Sequence, residues 1–179
     1  MLELLTQPPP SDAIEAMVAA GVHIAPTMLG TQRGPDGNLG PEAAEAVLIL
    51  QATFVDEQRA AGFWRTAASL MGQLATAPGF IRRYTFADGP HFTLLALWRT
   101  AADANAFFAS DAHQAAMRDL YRHHWQYSHF AGLWEVTTPR PRVIFCPGCD
   151  GVTPATAGVC NTCGIELIDP IASASHDDR

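Results

Sequence analysis

Four cysteines fall within residues 146–163 as two CxxC pairs, Cys146-Pro-Gly-Cys149 and Cys160-Asn-Thr-Cys163, with ten residues between them. This spacing suits one tetrahedral four-thiolate site, because each knuckle points both sulfurs at a single ion and the neighbouring glycines permit close backbone approach. The pattern reads as a zinc ribbon. The same ligands bind iron, so a rubredoxin-like site is the alternative. About 25 residues bury too little core to fold alone, so the metal would supply the folding energy of this segment. A closed four-cysteine site leaves no position for substrate, which points to a structural role.

A second grouping runs from Ala112 to His129 and holds four of the seven histidines: His113, His123, His124 and His129. At helical spacing His113, Met117, Tyr121 and His124 share one stripe, and Ala116, Leu120 and His123 share the adjacent one. If the first stripe faces a pocket, it offers an imidazole at each end with a thioether and a phenol between. Such a stripe could ligate haem iron through one histidine or provide a general base near pH 7. The plainer alternative is that these are surface or packing residues of an ordinary helix. His113 is the first candidate and His124 the second.

Composition narrows the chemistry further. All 11 basic residues are Arg, and the chain has no Lys. Schiff-base catalysis and the Walker phosphate loop both need that amine, so pyridoxal-type and P-loop chemistries are excluded. A net charge of −7 without a basic run leaves no footprint for nucleic acid. No apolar run approaches the roughly 18 residues of a membrane span, and Met1-Leu-Glu-Leu-Leu-Thr-Gln-Pro-Pro-Pro lacks the basic start of a signal peptide. A cytoplasmic location is expected, in keeping with cysteines spaced for metal rather than for disulfides. No GxGxxG after a strand and no nucleophile elbow is present.

These residues must be positioned by a core, and the charge pattern shows where it lies. Residues 1–45 and 139–179 are acidic, whereas residues 46–138 balance seven acids with seven arginines and carry the strong periodicity. Residues 1–45 read as an acidic arm with a short helix over Asp12–Ala20, and 22–41, rich in Gly and Pro, as irregular. Ala46–Val55 reads as a strand with Gln51 on one face, and Asp56 as the cap of a helix carrying Phe63, Trp64, Ala67, Leu70, Met71 and Leu74. Two strands, 80–87 and 91–100, join through Asp88-Gly89-Pro90. A helical region from Ala101 to about Tyr127, broken near Ser110-Asp111, and a last strand over 131–137 follow. Arg82 and Arg83 point to opposite faces of their strand, so one of them must face inward or lie near a dimer seam. The order β-α-β-β-α-β predicts a ferredoxin-like α+β fold, with the four-cysteine ribbon over 139–170 and a flexible tail over 171–179.

Pro78-Gly79-Phe80, Trp98, Phe107-Phe108 and Ser110-x-x-His113 together resemble the antibiotic biosynthesis monooxygenase type of the dimeric α/β-barrel superfamily. The resemblance covers roughly residues 46–137. It implies a homodimer whose two sheets form a barrel, with a small-molecule pocket in each subunit between sheet and helices. The superfamily includes cofactor-independent quinone-forming oxygenases and haem-degrading enzymes. Gln51 falls where the haem-degrading branch has a polar residue, usually Asn. That branch's iron-binding histidine position falls on Met117, one turn beyond His113. The expectation is a small-molecule oxidoreductase, with haem as the first cofactor to test and an iron-binding His on the second helix. In the cofactor-independent alternative, His113 or His124 is the base and Gln51 and Tyr121 orient a phenol. A third reading is a non-enzymatic ligand-binding dimer whose ribbon docks a protein or redox partner.

Overall fold

The structure, a computed structural model, describes residues 27–169 together with Ala19. Apart from Ala19, the helix expected over Asp12–Ala20 lies outside the described residues, as does the tail over 171–179.

Strand β2 (Ala46–Phe54) is an inner strand of an antiparallel sheet whose order is β1 (Thr27–Arg33), β3 (Phe80–Asp88), β4 (His91–Trp98), β2 and β5 (Gln126–Glu135). Its β-branched and leucine residues favour the pleat, and the period of two splits them between faces. Ala46, Ala52 and Phe54 are buried, whereas Gln51 is exposed on the other side. Helix α1 (Glu57–Leu74) starts at Asp56, whose carboxylate accepts the Arg59 backbone N–H at 2.7 Å. Ala60, Phe63, Trp64, Ala67, Met71 and Leu74 recur at helical spacing, and most of this face packs onto the core formed with β4.

β3 (Phe80–Asp88) and β4 (His91–Trp98) form a hairpin, and after the exposed His91 the residues of β4 alternate between buried and half-buried. The second helical region divides at the expected place. Thr100 caps α2 (Ala101–Phe108) and Ser110 caps α3 (Asp111–His123), accepting the N–H groups of Asp103 at 3.1 Å and His113 at 3.3 Å. β5 (Gln126–Glu135) then pairs with β2. The result is the ferredoxin-like α+β fold expected from the element order. Among the described residues, no helix is long and apolar enough to cross a membrane.

Two boundaries differ from the sequence reading. Thr27–Arg33, inside the segment expected to be irregular, forms strand β1 on the edge beside β3. It covers backbone groups that β3 would otherwise leave unpaired, taking up Gly30 at a shift in its register, and the denser Gly and Pro punctuation follows from Gly34. Gln32 fastens this edge, receiving Arg83 Nε at 2.8 Å and donating to the Met71 carbonyl at 2.6 Å. The other difference is the end of α3. It stops at His123, His124 adopts a left-handed conformation (φ 48°, ψ 45°), and the last strand starts at Gln126 rather than at 131. Pairing with β2 requires the chain to reverse there, which overrides helix propensity. Trp125 secures the turn by packing on Phe63 and stacking against His123, with ring centroids 6.4 and 5.1 Å apart.

Pro78-Gly79-Phe80 makes the turn that delivers β3 to the core. Gly79 sits at φ +74°, its carbonyl accepts the Arg99 N–H at 2.8 Å, and a Cβ there would fall 2.3 Å from Asp103 Cγ. Gly79→Ala meets both the left-handed penalty and this clash. It is expected to destabilise the protein by about 2 kcal/mol or more and to lower Tm by several degrees in a thermal melt.

The C-terminal segment forms a two-stranded unit, β6 (Val143–Phe145) with β7 (Val152–Pro154). Arg142 joins it to the turn before β2. Its guanidinium bonds Asp169 through two nitrogens, at 2.7 and 2.5 Å, and Glu42 at 3.1 Å. These carboxylates, Asp169 foremost, raise the Arg142 pKa further.

Candidate functional site

Between the sheet and the three helices lies a cavity of about 110 Å³. Its walls come from even-numbered positions of β2 and β4 and from the inner faces of the helices, so it is a gap in the main core. Phe63, Trp64, Phe92, Trp98, Phe107, Phe108 and Trp125 make it aromatic, and no acid or arginine lines it among the described residues. Polar groups are few: His113, His129, Gln126 and Thr66.

His113 is the best-defined of them. Its Nδ1 lies 3.1 Å from the Phe108 carbonyl oxygen. A carbonyl only accepts, so Nδ1 carries the hydrogen, and Nε2 keeps its lone pair in the neutral ring. The ring rests against Phe107 and Phe108, with centroids 5.6 and 5.2 Å away. Burial lowers the His113 pKa, only partly opposed by the bond to Phe108. At neutral pH it is therefore an uncharged, oriented base.

The helical face that lines the cavity is His113, Ala116, Met117 and Leu120, which takes members from both expected stripes. Tyr121 is 62% exposed. With His124 it flanks an outer cleft of about 190 Å³ that shares Leu120, Gln126 and His129 with the cavity. Gln51 lies away from the cavity. It is on the opposite sheet face, donating to Thr93 Oγ1 at 3.4 Å. Side chains of odd-numbered β2 residues point there, so a polar residue at position 51 cannot meet a ligand under the helices. Arg83 faces the helix side through Gln32 and Thr85, and Arg82 donates to the Gly37 carbonyl at 3.3 Å.

Sequence reasoning missed Trp125 and Gln126 as lining residues and grouped His129 with the histidines of the second helix. Gln126 and His129 enter from β5, and Trp125 from the turn before it. The available signal was the strand-like stretch from Gln126 to Trp134, hidden because its start reads equally well as the end of a helix. His129 is opposite Ala52 across the β2–β5 ladder, which turns it toward the helices.

The four cysteines form a separate cluster. Their sulfurs all lie within 4.8 Å of one another, with Cys146–Cys163 at 3.6 Å and Cys149–Cys160 at 3.7 Å. An ion holding four sulfurs at about 2.3 Å in a tetrahedron sets them about 3.8 Å apart. The N–H groups of Gly148, Gly151 and Thr162 point at Cys146, Cys149 and Cys160 at 3.3–3.4 Å, the donor pattern that steadies thiolates. A Cβ on Gly151 would sit 3.0 Å from Cys160 Sγ and 3.1 Å from Cys149 Sγ, so only glycine fits there without displacement. The cluster can hold a metal ion.

Haem does not fit the cavity. Its volume is well below the roughly 300–1,000 Å³ of sites that enclose drug-sized ligands, and haem is larger than those. Among the described residues no lining arginine offers the two haem propionates a cationic partner inside. Of the residues expected to hold haem, His113 and Met117 line the cavity, whereas His124, the second candidate, lies in the outer cleft.

No curated protein matches the chain. Solved structures with a similar fold include a conserved protein from Methanosarcina mazei at 13% identity, covering 52% of this chain and 95% of its own, with a TM-score of 0.46. Another is SnoaB, a cofactor-independent oxygenase from Streptomyces nogalater, at 17% identity, 55% and 99% coverage, and a TM-score of 0.46. A ferredoxin-fold protein from Listeria monocytogenes related to antibiotic biosynthesis monooxygenases has 8% identity, 62% and 63% coverage, and a TM-score of 0.46. The sequence model of one family matches residues 46–119, from the start of β2 into α3, and its description is antibiotic biosynthesis monooxygenase. Residues 46–119 are thus similar to the antibiotic biosynthesis monooxygenase family, and a four-cysteine cluster follows them toward the C-terminus.

Proposed function

We propose that the domain is a cytoplasmic, cofactor-independent oxygenase of small hydroxylated aromatics, with His113 as its general base and a structural zinc ion on the four cysteines. The observation that carries this reading is the fixed tautomer of His113, whose Nε2 lone pair belongs to an uncharged ring in an aromatic-walled cavity. A phenol bound there gives its hydroxyl proton to Nε2, and the phenolate is electron-rich enough to reduce O2. One oxygen atom enters the ring and the other leaves as water, so phenol and O2 give quinone and water. The low-polarity walls keep His113 neutral and ready to accept that proton.

The test is oxygen uptake by purified protein with hydroquinone as substrate. The reading expects equimolar O2 consumed and 2-hydroxy-1,4-benzoquinone formed, with water rather than hydrogen peroxide as the other product and without a Soret band even when the cells are fed iron. Absence of uptake would leave the second reading, a ligand-binding dimer whose ribbon docks a partner. The exposed ribbon residues Phe145 (74%) and Ile168 (70%) support that reading.

The homodimer rests on the sheet face away from the helices. Val47, Ile49, Leu95 and Leu97 share that face with Phe130 (51% exposed) and Trp134 (44%). An apolar sheet face of this size needs a cover, and a second copy supplies one in the barrel arrangement. Trp134→Arg would bury a charge in that seam, so it is expected to yield monomers in size-exclusion chromatography with light scattering where the parent chain gives dimers.

A further inference from the structure

A cleft of about 350 Å³ lies on the helical side of the molecule, between α1 and the turn that joins α3 to β5. Gln58, Arg59, Gly62 and Arg65 line it from α1, and His123 and Trp125 from the turn. Positions 58, 62 and 65 recur at spacings of four and three, so they share one stripe of the helix. Trp125 also lines the aromatic cavity, which makes its indole the wall between a cavity without charged groups and a cleft with cationic ones.

The charge in this cleft runs against that of the chain. Two arginines and one acid line it, whereas the chain as a whole carries −7. The acid is occupied, because Asp56 Oδ1 accepts the Arg59 backbone N–H at 2.7 Å and Oδ2 accepts Arg59 Nη1 at 2.8 Å. Arg65 makes no hydrogen bond or ion pair among the described residues, which leaves its charge and its five N–H donors to a ligand. The Trp125 indole N–H also has no acceptor there, and unlike the Trp98 nitrogen it is not sealed from solvent. It lies against Gly62, where a Cβ would come 2.8 Å from Trp125 Nε1. Glycine is unfavourable inside a helix, and here it keeps the floor of the cleft clear beside that donor. His123 stacks on Trp125, with centroids 5.1 Å apart and the planes 13° from parallel, so an imidazole is held at the same edge.

A donor set of this kind suits a tetrahedral oxyanion. A guanidinium fork donates two parallel bonds to two phosphate oxygens and leaves the others to the indole and the imidazole. A carboxylate, with two oxygens and one charge, uses only part of the set. The volume is that of a small-molecule site, and the cleft faces away from the apolar sheet face assigned above to the dimer, so a second copy does not cover it.

We propose that this cleft binds the phosphate group of a small molecule, with Arg65 as the principal cationic donor. Arg59 adds the nitrogens that Asp56 leaves free, and the Trp125 indole N–H and the His123 ring complete the site. The assignment is independent of the chemistry performed in the aromatic cavity.

Titration of the full-length protein with inorganic phosphate, glycerol phosphate and succinate at constant ionic strength tests it, followed by proton–nitrogen correlation NMR. The indole signal that disappears in Trp125→Phe identifies Trp125. Both phosphate probes are expected to shift that signal saturably with a millimolar or lower Kd, and succinate to shift it at least about tenfold more weakly. Arg65→Gln is expected to weaken phosphate binding at least about tenfold with an unchanged thermal melt, since the side chain is exposed. Arg118→Gln removes the same charge from an exposed position of α3 outside the cleft, and should change the affinity by less than about twofold. Tighter binding of the ester makes the ligand a phosphate monoester, and tighter binding of the free ion makes it phosphate itself. No saturable shift with either phosphate probe, an equal response to succinate, or the same loss in Arg118→Gln as in Arg65→Gln overturns the proposal.

Discussion

His113→Asn is expected to lower turnover of a phenolic substrate by about 10²–10⁴-fold while changing its affinity far less. Asparagine is small enough for the site and retains an N–H that can reach the Phe108 carbonyl, but it offers no basic lone pair. The loss should therefore appear in kcat under substrate saturation. The pH dependence gives a second readout. Burial lowers the His113 pKa below its ordinary value, so the neutral base persists to lower pH than a free histidine would. The acid limb of kcat/KM in the parent protein should lie below about pH 6.5 and vanish in His113→Asn. Stability follows the same sign. The unfolded chain protonates His113 at its ordinary pKa before the native state does, so this residue's contribution is present above about pH 6.5 and declines as the pH falls from there toward the depressed native value. A kcat unchanged by His113→Asn would remove the base from the mechanism.

The second large effect concerns the metal. Structural zinc in small domains contributes roughly 10–16 kcal/mol of binding free energy at neutral pH, more than a ribbon of this size can recover from packing. One zinc per chain is expected by elemental analysis. Cys160→Ser, which removes a buried ligand, should abolish it and make the segment around β6 and β7 exchange its amide hydrogens rapidly. The sheet and helices should retain their protection, because their core, from Ala46 to Trp98 and Ala104, includes no ribbon residue. Only the Arg142 bridge to Glu42 and Asp169 should report the loss at the boundary. Finding iron instead of zinc, or a ribbon that stays protected in Cys160→Ser, would refute the structural-zinc assignment.

The two sites differ in how much of them the sequence reveals. The cysteine cluster is legible because its ligands are close in sequence and each CxxC turn dictates its own geometry. Local bonds from the N–H groups of Gly148, Gly151 and Thr162 aim the sulfurs of each knuckle, and the two knuckles then meet with sulfurs 3.6–3.7 Å apart. The cavity is less legible because it is assembled from strands and helices far apart in the chain. His113 could be picked out from Ser110 and the helix it caps. Gln126 and His129 could not, since their side chains depend on where α3 ends and on the register of β5 against β2.

Periodicity, capping residues and turn chemistry in the sequence alone determined the β-α-β-β-α-β order, the break at Ser110 and the four-thiolate cluster, because each depends on neighbours within a few residues. Tertiary structure decided the rest. The unpaired edge of β3 drew Thr27–Arg33 into the sheet, and the reversal at His124 placed that residue in the outer cleft. Pairing parity turned Gln51 away from the ligand cavity and His129 toward it. In a strand, a side chain's direction is set by the register of its partners, and long-range pairing fixes that register.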